Sequence, residues 1–138
     1  MFMDQLSAQV SVGWLAGISV LFIVKHLLAD FLLQTRSMAV GKDAPAEWFR
    51  PLAMHAAVHA ALTAAICLLL SPALVWLAAV DFVVHAAIDR TKALIGQRWR
   101  LTTGKSAFWW LLGVDQTLHH LTHLAFVVVI AVFGGPDR

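Results

Sequence analysis

The chain has 138 residues, of which 60% are hydrophobic and only 13% charged, and its mean hydropathy is +0.77; such values lie outside the soluble range and make the bilayer the solvent. A helical span takes about 20 residues, so four spans leave no length for a separate soluble domain, and any active part lies in the helices or their short connections. The formal net charge of +2, with basic residues gathered in loops rather than along an aromatic-interleaved stripe, gives no support to a nucleic-acid partner.

The N-terminal segment MFMDQLSAQVSVGW lacks the basic stretch of a secretory signal, so the first apolar run reads as a retained helix. That run extends from Val12 to about residue 34 and is followed by a polar stretch with Arg36, Lys42, Asp43, Pro45, Glu47 and Arg50. The second span is expected over Leu52 to Leu70, with Cys67 inside it as a small packing residue that has no disulfide partner. Ser71-Pro72 breaks the helix. The third span is expected over Leu74 to Leu94, ahead of a loop with Arg98, Arg100 and Lys105. The fourth runs from about Phe108 to Phe133, where Phe108, Trp109 and Trp110 resemble an interfacial aromatic belt and move the true start toward Gly113.

The expected fold is therefore all-α: a polytopic four-helix membrane bundle, a single domain built as two helical hairpins. Lysine and arginine number three in the connection after the first span and five from Arg90 to Lys105. The other connections and termini hold only Arg138. The positive-inside rule then places both basic connections in the cytoplasm and both termini outside, in a bacterial inner membrane.

Ionisable side chains within spans cost about 2.5 to 3.5 kcal/mol each at the bilayer centre, so they are ordinarily paired or functional. Here they recur in every span. His26/Asp30, His55/His59, His85/Asp89 and Asp115/His119 are each four residues apart, a spacing that projects both side chains from one helix face. The topology puts all four pairs in the cytoplasmic halves of their spans, Asp115/His119 on condition that the fourth span starts near Gly113. They are expected to converge on one layer.

Imidazoles and carboxylates from facing helices are how bundle metal sites are built. The expected ligand set is His26, Asp30, His55, His85, Asp89, Asp115 and His119, holding one or two divalent ions, zinc first and manganese or iron next. Asp30, Asp89 and Asp115 are also the candidate general bases, and Lys92 either pairs with Asp89 or steadies an anionic substrate group. Gln34, His59, Asp81, Gln116 and His123 are candidates for the supporting shell. His120 points away from His119 and reads as structural, and Lys25 as reaching a carboxylate or the interface. The competing reading of the pairs is a polar network that hydrogen-bonds the bundle.

The runs His26-Leu-Leu-Ala-Asp30-Phe-Leu-Leu-Gln34, His85-Ala-Ala-Ile-Asp89-Arg-Thr-Lys92 and Asp115-Gln116-Thr-Leu-His119, with His55, resemble the bacterial membrane family called domain of unknown function 3307. The resemblance implies a small multi-span inner-membrane protein and carries no activity. The chain is more loosely similar to membrane-bound metal-dependent hydrolases, which place histidines and aspartates on apolar helices. The leading expectation is a metal-dependent hydrolase acting on an amphiphilic or lipid-linked substrate at the cytoplasmic side. The alternatives are a di-iron membrane oxidoreductase, a metal or proton carrier, and a haem-binding membrane protein.

Overall fold

The computed structural model describes residues 10–134, and the described residues form helices and connections without strands. The first nine residues and the tail holding Arg138 lie outside them. Helix α1 (Val12–Leu27) is capped by Ser11, whose Oγ accepts from the Trp14 amide, and continues unbroken into a π-helical turn, Leu28–Leu32. A short helix α2 (Arg36–Gly41), capped by Thr35, lies in the first basic connection. Helix α3 (Phe49–Leu70), a 3-10 turn (Pro72–Leu74), α4 (Leu77–Arg98) and α5 (Ser106–Phe133) complete the chain.

Four of these segments are long and apolar enough to cross a membrane: Val12–Leu32, Phe49–Leu70, Pro72–Arg98 and Ser106–Phe133. Their limits differ from expectation for local reasons. Helix α3 starts at Phe49 rather than Leu52 because Pro51 falls in the first turn, where a missing amide hydrogen costs nothing. Helix α4 starts only after the 3-10 turn and runs on to Arg98, while α5 starts at Ser106, ahead of the aromatic belt. Helix α2, unexpected from sequence, forms because Thr35 accepts from the Met38 amide at 3.3 Å.

The spans pack in a ring in which α1 touches α3, α3 touches α4, α4 touches α5 and α5 touches α1. The exterior is apolar, as Leu69, Phe31 and Trp110 on the surface illustrate. The interior is divided. At the end near the 3-10 turn, Ile18, Phe22, Ile66, Cys67, Leu77, Phe126 and Ile130 form a close-packed apolar plug. Lipid competes equally for such side chains, so this plug holds by van der Waals packing rather than by the hydrophobic effect. Toward the basic connections the interior is polar. Along α4 the buried positions are Leu77, Asp81, His85, Asp89 and Ala93, a four-residue repeat that passes from the plug through three ionisable layers. Helices α3 (His55, His59, Thr63) and α5 (Asp115, His119, His123) carry matching stripes.

Candidate metal centre

Asp89 stands as far before the end of α4 as Asp115 stands after the start of α5, so the two carboxylates share a level although α5 begins well before Gly113. The i, i+4 spacing thus brings the four His/Asp pairs into one interior.

The tightest group joins three helices. Asp30 Oδ1 lies 2.9 Å from His59 Nε2 and 3.4 Å from His55 Nε2, and His55 Nε2 lies 3.1 Å from His85 Nε2. All four ligand atoms fall within 4.8 Å of one another. Around a tetrahedral ion with bonds of about 2.0–2.1 Å, ligand atoms stand about 3.3 Å apart, so these separations match a coordination sphere. The rings support one another: His59 stacks on His85 at 3.7 Å between centroids, and His55 meets His59 edge-on at 4.8 Å. His55 and His59 are wholly buried.

A second group, His85, Asp89 and His119, shares His85 with the first. His119 Nδ1 is 2.9 Å from the backbone oxygen of Asp115, which can only accept, so Nδ1 carries the proton and Nε2 keeps its lone pair. That Nε2 is buried, has no hydrogen-bond partner and faces Asp89 Oδ1 at 4.0 Å. Asp115 Oδ1 is likewise buried without a partner. Both residues, with Asp30, His85, Asp89 and Gln34, line a polar cavity of about 410 Å³.

A third group, His26, His59 and His123, has its Nε2 atoms engaged by other side chains, while its three Nδ1 atoms are buried without a hydrogen-bond partner. His123 Nε2 accepts from Lys25 Nζ at 3.0 Å. His26 Nε2 lies 3.0 Å from Gln116 Oε1 and 3.1 Å from Asp30 Oδ2, two acceptors that call for a proton on that nitrogen. Gln116 in turn donates to Asp115 Oδ2 at 3.0 Å, which fixes the orientation of its amide. A chain of polar contacts therefore runs from Asp115 through Gln116 and His26 to Asp30.

Lysines occupy the flanks. Lys25 Nζ is 2.6 Å from Asp81 Oδ2, which also accepts from Thr63 Oγ1 at 2.6 Å, so Asp81 belongs to a deeper layer that ties α1, α3, α4 and α5 together. Lys42, at the end of α2, reaches Asp89 Oδ2 at 2.8 Å. Its position depends on Gly41, where a Cβ would meet the Pro51 ring at 2.5 Å. Lys92 pairs with Asp43 at 3.2 Å rather than with Asp89. Gln34 donates to the Asp30 backbone oxygen at 2.9 Å, across the π-helical turn. His120 is exposed on the outer face, its ring 4.9 Å from that of His26.

Lys42 and Thr63 are the interior residues that sequence reasoning passed over. Nothing in the sequence pattern singles out Lys42, since a lysine in a polar connection reads as an interfacial charge.

The family described as "Protein of unknown function (DUF3307)" matches residues 18–135, which covers every residue of these groups. The chain belongs to this family. No curated protein and no solved structure matches it.

Proposed function

We propose that this chain is a metal-dependent membrane hydrolase acting on an amphiphilic substrate from the cytoplasmic side. The observation that carries the reading is the convergence of Asp30 Oδ1 with the Nε2 atoms of His55, His59 and His85 beside a polar cavity. Two imidazole nitrogens 3.1 Å apart both become lone-pair donors when a cation lies between them and each proton sits on Nδ1. Three imidazoles and a carboxylate suit zinc first, then manganese or iron. Of the four residues that would hold the ion, Asp30 and His85 reach the cavity wall, which puts the group beside space open to substrate and water.

A divalent ion held by Asp30, His55, His59 and His85 would supply Lewis acidity toward a carbonyl or phosphoryl oxygen and toward a water. The chain's own residues do the rest. His26, held by Gln116, donates to Asp30 and orients it. His119 Nε2, its lone pair fixed by the proton on Nδ1, takes the proton of an attacking water, with Asp89 beside it. Asp115 shares that wall. Lys42 holds Asp89 in place and offsets its charge.

The geometry speaks against the other readings. The first two groups share His85, which disfavours a two-ion oxidoreductase centre with separate ligand sets. The apolar plug beyond Asp81 and His123 disfavours a carrier path. Carboxylates interleaved at hydrogen-bond distance from His55 and His59 leave no room for a haem plane between facing histidines.

The test is the metal content of the detergent-purified protein by mass spectrometry, with a visible spectrum. One zinc, manganese or iron per chain is expected, and none in His55→Ala or His85→Ala. A Soret band, two irons per chain, or a stoichiometric metal that survives both substitutions would overturn the reading. Esterase and phosphatase activity on short-chain amphiphiles, lost in His119→Ala with metal retained, is the catalytic arm.

A further inference from the structure

The polar cavity does not stand alone. Lys92 and Asp115 from its wall also form the charged part of a groove of about 300 Å³ between α4 and α5. The rest of that groove is apolar apart from Thr91, whose hydroxyl donates to the Ala87 backbone oxygen, and includes Ile88, Ile95, Leu111, Val114 and Leu118. Val114 and Leu118 are exposed on the outer face of α5, so the groove opens sideways to lipid. Its volume is at the lower end of the small-molecule range, enough for an alkyl chain and too little for a helix.

A second hollow of about 360 Å³, toward the end of the helices, again includes Lys92, now with Arg100, Thr102 and Phe108. Two basic residues there, Lys92 and Arg100, face one carboxylate, Asp43, which leaves an excess of positive charge. From Arg90 to Lys105 the sequence has five basic residues and no acidic one. The partner Lys92 does have, Asp43, is 43% exposed, so water competes for the pair and an anion can exchange with it.

Arg100 adds a separate indication. The end of α4 is a Schellman turn in which the Leu101 amide donates to the Gly96 oxygen at 2.9 Å and the Arg100 amide to the Gln97 oxygen at 3.1 Å. Arg100 therefore takes the left-handed position, at φ 48, that glycine ordinarily fills. An arginine held there is strained, and its side chain lines the hollow next to Lys92.

We infer that an anionic phospholipid of the surrounding leaflet occupies this face, its acyl chain in the α4/α5 groove and its phosphate between Lys92 and Arg100. The occupant is fixed by charge complementarity at the headgroup and by the sideways opening for the chain. The inference rests on the hydrolase reading in that it names the substrate class for the same site: Lys92 and Asp115 are common to groove and cavity, so a lipid seated in the groove has its headgroup beside the cavity that Asp30 and His85 line.

Native mass spectrometry of the detergent-solubilised protein tests it, by titration with phosphatidic acid or with phosphatidylcholine of the same chains. Phosphatidic acid should be retained at concentrations about tenfold lower. Lys92→Gln should weaken retention about tenfold, and so should Val114→Trp, which fills the groove. Val83→Trp, on the exposed face of α4 away from the groove, should leave it unchanged and shows that a tryptophan on the outer surface is tolerated. Equal retention of both lipids, or retention indifferent to Lys92→Gln and Val114→Trp, overturns the proposal. Metal content measured on the same samples separates the two ideas. Lipid preference in a protein without metal keeps the groove and removes the hydrolase, whereas stoichiometric metal without lipid preference removes the groove alone.

Discussion

Lys25 and Asp81 are the most deeply buried lysine–aspartate pair among the described residues, with side chains 2% and 1% exposed, and each has a further partner, His123 and Thr63 respectively. Removing one member of such a pair leaves a buried charge with no counter-ion, at a cost of about 3–5 kcal/mol, whereas replacing both by apolar groups is often close to neutral. Lys25→Met should therefore lower the thermal unfolding temperature in detergent sharply, and Lys25→Met with Asp81→Leu should regain most of the loss. Retention of metal by the double variant is expected, since neither residue belongs to the Asp30, His55, His59, His85 group. A double variant as unstable as the single one would mean that the pair does more than neutralise itself.

At the level of elements, the π-helical turn Leu28–Leu32 sets how the first basic connection meets the site. A π-turn acts as one residue more than the α-helix needs, and the Leu33 amide here bonds back to the Leu28 oxygen at 2.8 Å. It directs the chain into α2, whose end delivers Lys42 to Asp89. Deleting Phe31, which is 73% exposed, should let the segment close as α-helix and swing α2 out of place. The expected result is unchanged helical content by circular dichroism with loss of Lys42 from Asp89 and a marked drop in metal retention; full retention would mean that the turn is incidental. This is also the point at which sequence reading stops. Four-residue spacing shows that His55/His59 and His85/Asp89 each share a face, because helix geometry alone determines it. It does not show which atom faces which. His26 turns its Nε2 to Gln116 and Asp30, His59 joins the closest group instead of supporting it, and Lys92 takes Asp43, all because of how the helices rotate against their neighbours in the ring. Lys42 was unreadable for a related reason. A lysine in a polar connection looks like an interfacial charge until a neighbouring glycine lets its short helix press against Pro51.

For the whole molecule, the division of the interior gives the protein a direction. The plug around Phe22, Ile66, Phe126 and Ile130 closes one end, and the polar cavity, the α4/α5 groove, the hollow with Lys92 and Arg100 and the basic connections lie toward the other. On the proposed reading, whichever compartment faces the basic end would supply the water and the metal. From the lysine and arginine distribution we propose that this end faces the cytoplasm. Thiol labelling of cells expressing single-cysteine variants tests the assignment directly, and native Cys67, wholly buried, is replaced by alanine to remove background. Ala73→Cys lies in the turn between α3 and α4, and Thr103→Cys between α4 and α5; both positions are exposed. A membrane-impermeant maleimide should label Ala73→Cys in intact cells and Thr103→Cys only after the membrane is opened. The reverse pattern would place the cavity on the outer side, where cytoplasmic metal and substrate pools do not reach it. The metal centre could survive that outcome, since its ligands are all internal, but a lipid substrate would then have to come from the outer leaflet.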